Sequence, residues 1–166
     1  MKRGEKGFTL LELLIGLAIT GIIMVPLMMT TVTLLTNPER STDHNIALQQ
    51  VQNAGYWISR DAQMAHNVSF NSTSGFPLTL NIRVDANEAN DFRIEYLFDG
   101  NRLKRQLYDS SDNLTAEAFI AEHIDTDYST FSTLASNLSK LTVRAAKGET
   151  VVTTSYEINH RLIVGE

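Results

Sequence analysis

The sequence has no cysteine. That excludes disulfide staples, thiolate metal sites and cysteine nucleophiles, whatever the compartment. It contains no glycine-rich phosphate loop, no G-x-S-x-G and no H-E-x-x-H, so the usual signatures of nucleotide binding, serine hydrolysis and zinc proteolysis are missing. Acids outnumber bases by 19 to 14, for a net charge of −5, which leaves no basic footprint for nucleic acid. His44, His66, His123 and His160 show no i, i+4 pairing, and a surface position is expected for each. The most telling shortage is local. Between Glu12 and Glu39 lie 26 residues, Leu13 to Pro38, without a single charge.

This stretch reads LLIGLAITGIIMVPLMMTTVTLL before it turns polar. At ~1.5 Å per helical residue, about 20 apolar residues cross a hydrocarbon core of ~30 Å, so the run is long enough to span a bilayer. Lys2, Arg3 and Lys6 precede it and acids dominate after it. The bias places the amino end in the cytoplasm and the remainder outside. A secretory signal peptide would have a shorter apolar region closed by a small-x-small cleavage site, and no such site closes this run.

Glu12 stands at the mouth of this segment. A carboxylate at a bilayer centre costs roughly 2.5–3.5 kcal/mol, and less near the boundary. Intramembrane acids are as a rule functional and paired. A cut after Gly7 would supply a cation, because Phe8 would then carry an α-amino group four residues from the acid. In a low dielectric such a pair attracts strongly, and either charge alone is costly.

Lys6-Gly7-Phe8-Thr9-Leu10-Leu11-Glu12-Leu13-Leu14-Ile15-Gly16 resembles the cleavage and methylation signal of type IV prepilins and pseudopilins. The resemblance implies cleavage by prepilin peptidase between Gly7 and Phe8, and N-methylation of Phe8. It also implies that Glu12 meets the Phe8 amine of an adjacent subunit during assembly. Its implied partners are other pilin or pseudopilin subunits, the peptidase/methylase and an inner-membrane assembly platform. No cofactor and no enzymatic activity are expected. The Trp57–Ala65 stretch resembles PilW-like and J-type minor pseudopilins. No carboxyl-terminal cysteine pair, which many major pilins close into a disulfide loop, is present.

Four segments follow from this reading: a cytoplasmic leader (1–7), a transmembrane and filament-core helix (8–36), the amphipathic half of that helix (37–66) and an extracytoplasmic sheet domain (67–166). Pro26 removes one backbone donor and predicts a kink, while Gly16, Thr20 and Gly21 offer small surfaces for helix approach. Asn37-Pro38-Glu39 reads as a helix restart, with Asn37 as cap. Leu48, Val51, Gly55, Ile58, Ala62 and Ala65 recur at steps of three and four, which predicts one buried helical face.

Beyond His66 the period changes to two. Leu78–Val84 and Phe92–Phe98 read as strands, and Asp99-Gly100-Asn101 leads into Arg102–Tyr108 as a hairpin. Lys140–Ala146 and Thr150–Ile158 flank Lys147-Gly148-Glu149 as a second hairpin. Ala116–Ile124 is ambiguous, and Ser129–Ser139 reads as a polar loop. The expected fold is α+β and pilin-like, a long kinked helix packed on an antiparallel sheet. Asp85, Glu88 and Asp91 form an oxygen-rich loop of the kind that suits Ca²⁺, although a solvated turn explains the same residues.

The function these expectations describe is that of a minor pilin or pseudopilin. It would be a subunit of a type IV pilus, a type II secretion pseudopilus or a DNA-uptake pseudopilus. A major pilin, or an uncleaved signal-anchored binding domain or enzyme, are the alternatives.

Overall fold

The structure is a computed structural model that describes residues 9–84 and 91–160, and all side chains within them except those of residues 36–39. Among the described residues, one helix, α1 (Leu10–Met64), is followed by eight strands. These are β1 (Asn67–Phe70), β2 (Leu78–Ile82), β3 (Phe92–Asp99), β4 (Arg102–Tyr108), β5 (Leu114–Ala121), β6 (Thr130–Ala135), β7 (Leu138–Lys147) and β8 (Thr150–Asn159). The backbone divides into two compact units, Met1–Ser41 and Thr42–Glu166.

In the first unit α1 is apolar on every side from Leu13 to Leu35. Leu10, Leu17, Ile22, Met28 and Leu35 are all exposed, as expected of a helix whose surroundings are themselves apolar. Four of its hydroxyls bond back to the helix itself. Thr20 donates to the Gly16 carbonyl at 2.7 Å, Thr30 to Pro26 at 2.8 Å, Thr31 to Leu27 at 2.8 Å and Thr33 to Met29 at 2.9 Å. Pro26 lies inside α1 without interrupting it. The restart expected at Asn37 does not occur, because α1 runs through residues 37–39 as one element. A proline in the interior removes a single donor, and the flanking helical bonds suffice to carry the chain past it.

The second unit is built on the later part of α1. Ala47, Val51, Ala54, Ile58, Ala62 and Ala65 are buried there against Leu78, Leu80, Ile94, Tyr96, Leu103, Leu141, Val143 and Ile158. Alanine recurs on this face because a short side chain lets the helix backbone lie close to a sheet. Leu48, expected in the stripe, is half-buried, and Ala47 takes its place.

Two antiparallel sheets receive the helix where one was expected. Five strands run in the order β1-β2-β3-β4-β5 and three in the order β6-β7-β8. The chain turns between them at His123, which has φ of 58°. A bridge from Ile124 to Ala145 and a bond from the Ala146 N–H to the His123 carbonyl (2.8 Å) tie this connecting segment to β7. The 116–124 segment is mostly β5. The segment read as a polar loop, 129–139, contains β6, and β1 had no forewarning in the pattern. β5 and β6 escaped notice because nearly all their side chains are exposed, so no alternation marks them. The surface position expected for the histidines holds for His44 alone; His66, His123 and His160 are half-buried. His160 clamps the end of the helix, with Nδ1 3.1 Å from the Ala62 carbonyl and Nε2 2.6 Å from Ser139 Oγ.

Candidate functional site

The site singled out by the sequence lies at the start of α1. Thr9 is the cap and Glu12 the third helical residue, and they bond reciprocally. The Glu12 N–H donates to Thr9 Oγ1 at 3.3 Å, while Glu12 Oε2 accepts from the Thr9 N–H at 3.0 Å and from the Thr9 hydroxyl at 2.9 Å. This is a capping box, which satisfies two of the donors that a helix start leaves open. The first intrahelical bond runs from the Leu13 N–H to the Thr9 carbonyl. Thr9-Leu10-Leu11-Glu12 has the spacing that signals such a box. Gly7 and Phe8 lie outside the described residues.

Of the loop considered for Ca²⁺, Asp85 and Glu88 lie outside the described residues. Asp91 accepts from the Val84 N–H at 3.4 Å and lies 3.6 Å from Arg83 Nε. Among the described residues no group of three His, Asp or Glu side chains is arranged to hold a metal. A cavity of about 350 Å³ between His66, Arg93 and Asp91 also borders Asp109 and Asp112. Its acids are engaged. Arg93 pairs with Asp112 at 2.5 Å. Asp109 accepts the backbone N–H groups of Asn113 and Ser111 at 2.9 Å, bonds that hold its carboxyl below the usual range, those from Asn113 foremost.

One cluster escaped the sequence reading. Asp61 is 1% exposed on the inner face of α1. Its Oδ2 accepts from the Tyr96 hydroxyl at 2.5 Å and from Arg105 Nε at 2.7 Å. Arg105 also stacks over Trp57, 5.3 Å from the ring centroid. Burial, together with the Asp61 charge, pushes the Tyr96 phenol well above its ordinary value. Burial opposes the charged form of Arg105, but its bond to Asp61 outweighs this and holds the guanidinium above its usual value. Asp61 sits between Arg60 and Ala62, three residues beyond Ile58. An acid beside a buried stripe was the available signal. The cluster has no nucleophile and no open cleft, so its chemistry is to lock the helix to β3 and β4.

These observations define a class: a pilin-like α+β fold, one long amino-terminal helix on antiparallel sheets, opened by an apolar segment with a capped acid at its start. The comparison with known families agrees. Residues 2–28 match the family described as the prokaryotic N-terminal methylation motif. No curated protein and no solved structure matches the chain. The chain therefore carries a type IV prepilin/pseudopilin-type signal, the mark of a pilin-like precursor that prepilin peptidase processes.

Proposed function

We propose that this protein is a minor pilin or pseudopilin, a structural subunit of a type IV pilus, a type II secretion pseudopilus or a DNA-uptake pseudopilus. The precursor is anchored in the cytoplasmic membrane by residues 8–36, with residues 67–166 extracytoplasmic. Prepilin peptidase cuts between Gly7 and Phe8, and the new Phe8 amine is methylated. Subunits then assemble with other pilins or pseudopilins through their apolar helices.

The observation that carries this reading is the methylation motif over residues 2–28 leading into an exposed apolar helix. Glu12 supports it. Thr9 holds Oε2, and among the described residues Oε1 has no partner. The acid is thus positioned at the helix start with one oxygen left for a neighbour's ammonium. Because burying both charges is costly unless they meet, the pair favours a single stagger between subunits.

Two measurements test the reading. The mature chain from its native host should lack residues 1–7 and carry one methyl group on Phe8, by intact mass. Glu12→Gln should leave the protein in the membrane but reduce its share in sheared filaments about tenfold or more, as loss of an interaction above about 1.4 kcal/mol requires. A chain that still begins at Met1 defines an ordinary anchored ectodomain instead, and equal incorporation of Glu12→Gln removes the assembly role of the acid.

A further inference from the structure

Two open sheets have four edge strands, here β1, β5, β6 and β8. Exposed edges invite pairing with other chains, and proteins blunt them by making them short or bulged. Three of the four are blunted in that way. β1 has four residues. β5 carries two extra residues opposite β4, Thr115 and Ile120. β6 carries one opposite β7, Leu134.

β8 is the exception. It has ten residues, and its register with β7 is unbroken from Lys147↔Thr150 to Leu138↔Asn159. It contains no Pro, Gly or Lys, and Thr150–Thr154 are all β-branched. Among the described residues β8 pairs with β7 alone.

A groove of about 530 Å³ lies between α1 and Tyr156 of this edge strand. One wall is the outer flank of α1, with Gln52, Tyr56, Ser59 and Gln63. Its floor is Tyr156 of β8, whose ring fits only because Gly55 has no Cβ. Ser59 Oγ is buried without a hydrogen-bond partner. In a chain of net charge −5 this groove contains no acid. Its one charge is Arg60, which stacks over Trp57 at 5.5 Å and has no carboxylate within ion-pair distance among the described residues.

We propose that the β8 edge and this groove form a docking site for an extended strand of a partner polypeptide, β-branched along its length and carrying a carboxylate that reaches Arg60. Strand addition draws affinity from main-chain bonds along the edge and selectivity from alternate side chains set into a pocket. The unbulged edge supplies the first and the groove the second. A second copy's β8 is a poor occupant. Its only acid, Glu157, lies on the exposed face, alternate to the Tyr156 side that borders the groove. The inference concerns the Thr42–Glu166 unit and does not depend on amino-terminal processing.

The test uses the full chain in detergent micelles and fluorescent peptides of β8's length, alternating Thr and Val around one central Glu. The Glu peptide should bind about tenfold or more tighter than its Lys counterpart, the ratio expected for about 1.4 kcal/mol. Arg60→Glu should reverse that order while leaving the melting transition in place. Methylating one alternate set of peptide amide nitrogens should abolish binding, and methylating the other set should not. Equal affinity of the Glu and Lys peptides, indifference to both methylation patterns, or no binding up to about 1 mM would each overturn the proposal, the last being weaker than about 4 kcal/mol. Spontaneous cross-linking of Ser155→Cys into dimers that exclude the peptides would overturn it too, in favour of a second copy.

Discussion

Asp61 shows how a single charge on a helix face fixes a fold. Its carboxylate is 1% exposed and is shared by Tyr96 and Arg105. Removing one partner of a buried ion pair leaves the other uncompensated, at about 3–5 kcal/mol. Asp61→Ala should therefore cost about that much in a denaturant melt of the full chain, and Tyr96→Phe less, about 1–3 kcal/mol for one unsatisfied acceptor. The pH dependence follows from Tyr96. Its folded pKa lies above the ordinary 10.0, so the neutral phenol contributes stability that is fully present below that value. This contribution is lost as the pH rises past it. The tyrosinate absorbance band should show one phenol that ionises only with unfolding. At the other end of α1, Thr9→Ala should cost the helix start about 1 kcal/mol, and Thr9→Ser should restore it. Amide exchange in the first turn is the measurement.

At the scale of elements, the seat of β8 on α1 depends on one missing methyl group. A Cβ at Gly55 would overlap the ring of Tyr156, whose hydroxyl donates to the Val51 carbonyl at 3.2 Å. Gly55→Ala should destabilise the second unit by about 1–3 kcal/mol through overpacking. Combining it with Tyr156→Ser should cost less than the sum of the two single changes, because the clash vanishes with the ring. Elements differed in how visible they were. The α1 stripe and the β7–β8 hairpin were legible because more and less buried positions alternate along them, and the β3–β4 hairpin because Asp99-Gly100-Asn101 marks its turn. β5 offers mostly exposed side chains on both faces, and β6 buries only Phe131. Periodicity is a record of burial, so strands that bury little leave none.

At the scale of the whole molecule, the two units have opposite solvents. The Thr42–Glu166 unit encloses its own apolar core. Expressed alone, residues 42–166 should be monomeric and melt cooperatively in detergent-free buffer, as sedimentation and calorimetry will show. Aggregation of that fragment would mean that its core is incomplete. The earlier unit exposes its apolar side chains from Leu13 to Leu35 and should require detergent, lipid or neighbouring helices.

Sequence alone determined the amino-terminal signal, the apolar helix and the type of fold. These depend on local order: residue spacing, charge placement and hydrophobic period along one stretch of chain. Only the tertiary structure decided that Asp61 meets Tyr96 and Arg105, that the strands divide into two sheets, and that among the described residues β8 pairs on one side alone, without a bulge. Those outcomes join residues far apart in the chain, and no local pattern encodes which distant groups will share a burial site.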